Sequence, residues 1–230
     1  MNAKGLWNGF DSGQIAVLRR LNTPAKVQDF LDFELPYNYE KQGETLYSPR
    51  LVLRENKAHC FEGALFAACT LRFHGFKPLI VDLVASEDDD HILALFKEKG
   101  LWGCVAKSKF TGLRYREPIH RNLRELVLSS FEGYYNFDGK KSLRSYSEPF
   151  DLSKFDSAGW MASGKPLWPV EKALNRSKHH GLFPKGLERK FRLVDGSLFK
   201  AEVLGRVGTP LYKQKPFNAR KLLGKRKSHV

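Results

Sequence analysis

The stretch "NKAHCFEGALFAACTLRFHG", residues 56–75, places a cysteine in the opening turn of a segment crowded with small residues. From Ala58 to about His74 the apolar positions return every three or four residues, which predicts a helix with Cys60, Ala64, Ala67, Ala68 and Leu71 on one face. Gly75 ends it as a residue just beyond a helix would. A thiol is a useful nucleophile only as thiolate, and the unpaired N–H groups and dipole of a first helical turn lower its pKa. The sulfur then needs an imidazole that takes the proton and later returns it to a leaving group. His91 meets that need: it opens a predicted strand immediately after the acidic run "EDDD".

Other elements must hold these two side chains together. "NTPAKVQDFLDFELP" starts a short helix with Thr23 as N-cap and Pro24 at its first position, and Pro36 ends it. "YSPRLVLREN" repeats the pattern with Ser48 and Pro49. Three apolar runs of strand length follow the Cys60 helix, "KPLIVDLVAS", "HILALF" and "LWGCVAKS". The last two predict an antiparallel hairpin with a four-residue turn at 97–100, which sets Ala106 opposite His91. Ile119, Leu123, Leu126 and Val127 predict an amphipathic covering helix near 118–132. The expected organisation is a core over 14–135, an irregular extension over 136–210 with a late hairpin turning at Asp195 and Gly196, and a basic tail over 211–230.

In this order the residues resemble the transglutaminase-like, papain-related cysteine enzymes. The resemblance covers roughly residues 23–110, through "TPAKVQDFLDF", "HCFEGALFAACTLRFHGFKPLIVDL" and "HILALFKEKGLWGC". It implies an α+β fold of the papain-like or transglutaminase-like kind, with the Cys-bearing helix packed on a small antiparallel sheet. It also implies thiol-dependent hydrolysis or acyl transfer at amide bonds of a peptide or protein substrate, with Cys60 as nucleophile and His91 as base and acid. Backbone N–H groups at the start of the Cys60 helix would stabilise an oxyanion. The family's third member, an Asp or Asn beside the His strand, has no counterpart: Lys107, Ser108 and Lys109 follow Ala106. Ser108 is the candidate orienting residue, with Glu62, Asp89 and Asp90 as further candidates that also read as surface or turn residues.

A second reading comes from charge. The chain carries a formal +14, and its last twenty residues hold seven Lys or Arg and no acid, leaving +7 for residues 1–210. Arg220, Lys221, Lys225, Arg226 and Lys227 in the tail, with Lys107, Lys109, Arg114, Arg116 and Arg121 interleaved with Phe110 and Tyr115, could take phosphates and stack bases. On this reading the chain is a catalytically inactive relative that binds nucleic acid or an acidic partner. Equally, Phe110 and Tyr115 are packing residues and the tail has no specific partner.

Metal and cofactor chemistry is not expected. "EDDDH" and "KHHG" lack zinc or EF-hand spacing, and "GKRK" lacks the phosphate-loop context. His59, His74 and His120 need no special role, and Cys69 and Cys104 read as small apolar residues. With three cysteines, no apolar run of about 18 residues and no signal pattern in "MNAKGLWNGFDSG", the expectation is a soluble, cytoplasmic protein without disulfides or membrane contact.

Overall fold

The computed structural model describes residues 5–41 and 43–203. Lys213, Lys215 and the basic residues Arg220, Lys221, Lys225, Arg226 and Lys227 lie outside the described residues. The architecture is α+β. Helices α1 (Ser12–Arg20), α2 (Pro24–Asp29), α3 (Pro49–Glu55) and α4 (Cys60–Phe73) precede strands β1 (Leu79–Ala85), β2 (His91–Glu98), β3 (Leu101–Val105) and β4 (Arg116–His120). Then come α5 (Leu123–Leu128), β5 (Leu143–Ser147), β6 (Phe150–Asp151), α6 (Trp168–Asn175), β7 (His179–Gly181) and α7 (Gly196–Val203). The sheet is antiparallel throughout, in the order β4-β3-β2-β1-β5-β7, with β6 beside the start of β1.

Local chemistry sets the helix starts. Thr23 and Ser48 accept from the N–H groups of Lys26 and Leu51, each with Pro at the following position. α2 runs on as a π-helical turn, Phe30–Glu34, before Pro36. α1 was not legible from periodicity; Asp11 and Gln14 form a reciprocal capping box that begins it. α4 is buried all round from Phe61 to Leu71, which explains its small residues: it lies between the other helices and the sheet. Gly63 is required where α4 crosses the end of β3, because a Cβ there would collide with the Lys107 side chain.

Both faces of the sheet are covered. Ile80, Ile92, Ala94, Phe96 and Val105 pack toward α4 with Trp160 and Met161, while Val81, Leu83, Leu93, Leu95 and Cys104 pack on the other side with Leu126, Val127 and Tyr134. The strands therefore read as continuous apolar runs rather than alternating ones.

Four expectations are corrected. The β2–β3 turn has two residues, not four: Glu98 pairs with Leu101, and Lys99 and Gly100 both adopt positive φ, as a type I′ turn requires. Lys97 and Glu98 stay in the strand despite their charge, with the Lys97 ammonium 4.0 Å from the centroid of Trp102, its cross-strand partner. The expected helix over 118–132 is a strand followed by a shorter helix, because Asn122 caps the Glu125 N–H and starts α5 only at Leu123, leaving Ile119 exposed. The expected late hairpin is helix α7, since Asp195 accepts from the Ser197 and Leu198 N–H groups as a helix cap. Finally, residues 143–151 and 179–181 add strands to the same sheet. The segment expected as an irregular extension thus helps build the core.

Candidate active site

Cys60 is the first residue of α4 and His91 the first of β2, and both open into one cavity of about 280 Å³. Tyr37, Tyr134, Asp88, Asp89 and Asp90 also line it. The acidic run expected as a solvated turn is therefore a wall. Its backbone is pinned from behind: Tyr134 donates to the Asp89 carbonyl at 2.7 Å, and the Asp90 carboxylate accepts the Ala85 N–H at 2.7 Å.

The His91 Nε2 lies 2.8 Å from the Leu113 carbonyl oxygen. A carbonyl can only accept, so Nε2 carries the proton and Nδ1 is the nitrogen left for the Cys60 thiol, with which His91 is hydrogen-bonded. The missing carboxylate beside the histidine is thus replaced by a main-chain oxygen. Ser108 lines the cavity but does not orient His91: its hydroxyl accepts the Phe110 N–H at 3.0 Å. The corrected hairpin register, continued past Val105, does place Ser108 rather than Ala106 level with His91.

A second imidazole reaches the same sulfur. His59, the residue before the helix, hydrogen-bonds Cys60, and its Nε2 sits 3.0 Å from the Thr45 carbonyl, 3.4 Å from Glu62 and 3.6 Å from Glu40. Glu62 is not a surface residue; it is fully buried and accepts from the His59 and Tyr47 N–H groups, the Thr45 hydroxyl and the Asn38 amide. That pocket exists because residues 36–41 and 43–47 fold back across the start of α4, where Tyr37 forms a parallel bridge with Ala58: the Asn38 N–H donates to the Ala58 carbonyl and the Ala58 N–H to the Pro36 carbonyl. Glu40 adopts a positive φ in this loop, accepting the Thr45 N–H at 2.6 Å. The signal for His59 and Glu62 was present in "HCFE", a cap position followed three residues later by Glu.

The electrostatics follow from these partners. Burial disfavours the Cys60 thiolate, but the hydrogen bonds and charges of His59 and His91 outweigh it and bring the thiol from 9.0 down to about 6. Burial likewise disfavours the His59 cation, and is outweighed by Cys60 and Glu62, which raise it from 6.5 to about 9. The two shifts run in opposite directions and support each other, so a thiolate–imidazolium pair is favoured over the neutral pair near neutral pH. The other two thiols move the opposite way: burial pushes Cys69 well up and Cys104 to about 12. Replacing His59 by Ala is expected to raise the pH midpoint of Cys60 ionisation by about one unit or more, read by thiolate absorbance in the ultraviolet; an unchanged midpoint would show that His91 alone sets it.

Three of the five cations in the cluster over 107–121 are engaged by internal partners. Lys107 is 5% exposed, and its ammonium caps the Leu31 and Leu35 carbonyls at the end of the π-helical turn, at 2.6 Å for Leu35. Burial lowers its pKa to about 8. Arg114 pairs with Asp32 at 3.5 Å, and Arg116 is spent on the Gly112 and Tyr115 carbonyls and the Ser129 hydroxyl. The Lys109 ammonium sits 4.9 Å from the Tyr37 ring centroid at the cavity, Tyr115 stacks on Phe96, and Arg121 alone of the five is exposed. Lys107→Met is expected to destabilise the fold by about 1–3 kcal/mol by leaving two buried carbonyls without a donor, measurable by urea denaturation.

Among the described residues, no three His, Cys, Asp or Glu side chains are placed to hold a metal, and no helix is long and apolar enough to cross a membrane. The cysteines are all free thiols. The sequence matches no protein-family model and none of the curated proteins with which it was compared.

Proposed function

We propose that this chain is a thiol-dependent hydrolase or acyltransferase acting on amide bonds, on a papain-like or transglutaminase-like variant of its α+β fold. The observation that carries the reading is the Cys60 sulfur held between two imidazoles at the opening of a cavity, its pKa near 6 while both other thiols are driven upward. The order of Cys helix, strand and His hairpin supports the fold comparison.

In this reaction the Cys60 thiolate attacks the carbonyl carbon, forming a C–S bond and moving an electron pair onto oxygen. The tetrahedral species collapses as an imidazolium protonates the leaving nitrogen, the C–N bond breaks and an amine departs. Water or a second amine then attacks the thioester while an imidazole takes its proton, and the thiolate is restored. His91 suits the proton transfers because its other nitrogen rests on a neutral carbonyl. His59, whose proton is held by the Cys60 sulfur and Glu62, serves to keep the sulfur ionised. First-turn N–H groups of α4 would receive the oxyanion, with the Tyr37 hydroxyl, which hydrogen-bonds the Cys60 backbone, giving way to it or joining it.

The reading of an inactive nucleic-acid binder has less support, because Lys107, Arg114 and Arg116 are committed to internal partners. An activated ester such as p-nitrophenyl acetate tests the proposal: a burst of nitrophenolate with an acetyl adduct on Cys60 is expected. Acetylation spread over lysines with none on Cys60 would overturn it.

A further inference from the structure

The atom that orients His91 belongs to a loop, and that loop is held by the last described helix. Leu113 lies in the one-turn 3₁₀ helix Thr111–Leu113 of the β3–β4 connection, where Thr111 is exposed, Leu113 is buried and no sheet ladder fixes the carbonyls. Two charged side chains fix it instead. The carboxylate of Glu202 in α7 accepts the Gly112 N–H and, at 3.1 Å, the Thr111 hydroxyl. From the other side, the Arg116 guanidinium donates to the Gly112 carbonyl and is anchored at 2.9 Å on the Ser129 hydroxyl. Each peptide group of Gly112 is thus held by an ion, and the next carbonyl along the chain is the one that accepts the hydrogen bond from His91 Nε2–H.

Glu202 is 7% exposed, an unusual depth for a carboxylate, and its carboxylate is spent on the Thr111 hydroxyl and the Gly112 N–H. Only a glycine leaves room for it: a Cβ at 112 would collide with the Glu202 carboxylate. α7 also braces a second cavity wall, since Phe199 packs on the Tyr135 ring with centroids 5.5 Å apart and the Tyr135 hydroxyl reaches the Leu198 carbonyl. Charge-assisted bonds to backbone N–H groups are among the stronger ones available to a loop.

We infer that Glu202 is a positioning residue of the Cys60–His91 site, acting through Gly112 and the Leu113 carbonyl to fix the His91 tautomer, so that docking of α7 is a condition for a competent site. This rests on the function proposed above. The carboxylate that such histidines usually touch directly acts here at one remove.

The test is the pH dependence of Cys60 alkylation by iodoacetamide in the full chain, with Cys69 and Cys104 as internal reporters of folding. Glu202→Ala is expected to shift the Cys60 midpoint upward by about one pH unit, tenfold in thiolate below the midpoint, while Cys69 and Cys104 stay unreactive. Glu202→Gln keeps an oxygen acceptor and is expected to retain the wild-type profile, a rescue that a general loss of packing would not show. If Glu202→Ala exposes Cys69 and Cys104, Glu202→Asp is read instead; it keeps the charge but shortens the reach to Gly112, and an intermediate midpoint is expected. Wild-type profiles in the folded Ala or Asp variant would overturn the inference. A wild-type Cys60 that is inert, or indifferent to His91→Ala, would instead overturn the proposed function, so the two failures are distinguishable.

Discussion

Cys60→Ala is expected to lower acyl transfer by a factor on the order of 10⁴ or more while leaving the fold in place. The size follows from the role: no other thiol can substitute, because Cys69 and Cys104 are buried in the two apolar clusters with pKa values raised. The fold survives because Cys60 is only half-buried at a helix start, and Ala is a good helix former with no cavity to leave behind. Removing a thiolate also leaves His59 beside Glu62 and Glu40 with its charge still balanced. Thermal unfolding and ester turnover of the same preparation check both halves; retained turnover would place the chemistry elsewhere.

Glu62→Ala is expected to be the most damaging substitution for stability, costing about 3–5 kcal/mol. Four donors converge on this one fully buried carboxylate, from Asn38, Thr45, Tyr47 and His59, and Asn38 is itself buried. Glu62→Gln is expected to cost somewhat less, about 2–3 kcal/mol, because its NH₂ would face donors where an oxygen stood. The effect should reach the sulfur as well. Without the carboxylate the loop 36–47 loses its anchor on α4, His59 loses a partner that holds its charge, and Cys60 ionisation should move to higher pH. Urea denaturation gives the first effect and alkylation against pH the second; a Glu62→Ala protein of wild-type stability would contradict this account of the loop.

The two halves of the site differ in how far the sequence reveals them. Cys60 follows from a local rule, a helix start within a periodic run, and His91 from the strand that follows an acidic turn; both require only short-range pattern. The register between β2 and β3 was misjudged because Lys97 and Glu98 look like turn residues, whereas the Lys97–Trp102 contact lets a charge remain in the ladder. That error moved the expected neighbour of His91 by two positions. His59 and Glu62 depend on a loop that folds back from residues 36–47, and no periodicity reports such a return. Lys107 illustrates the same limit in reverse: a lysine among other cations reads as surface, yet it ends in two helix carbonyls. The α+β class needed none of this, since it follows from the order of runs alone. α7 was misread because "VDGS" suits a two-residue turn as well as a helix cap, and the choice is made by what Glu202 and Phe199 pack against.

Whether Cys60 is a nucleophile made ready by two histidines is read from the alkylation rate of each cysteine by iodoacetamide from about pH 4 to about pH 10. Wild type, His91→Ala and His59→Ala should be compared, with sites assigned by mass spectrometry. Cys60 alone is expected to react, with a midpoint near pH 6 that rises in both variants. A Cys60 that is as inert as Cys69 and Cys104, or that titrates near 9.0 regardless of either histidine, would contradict it.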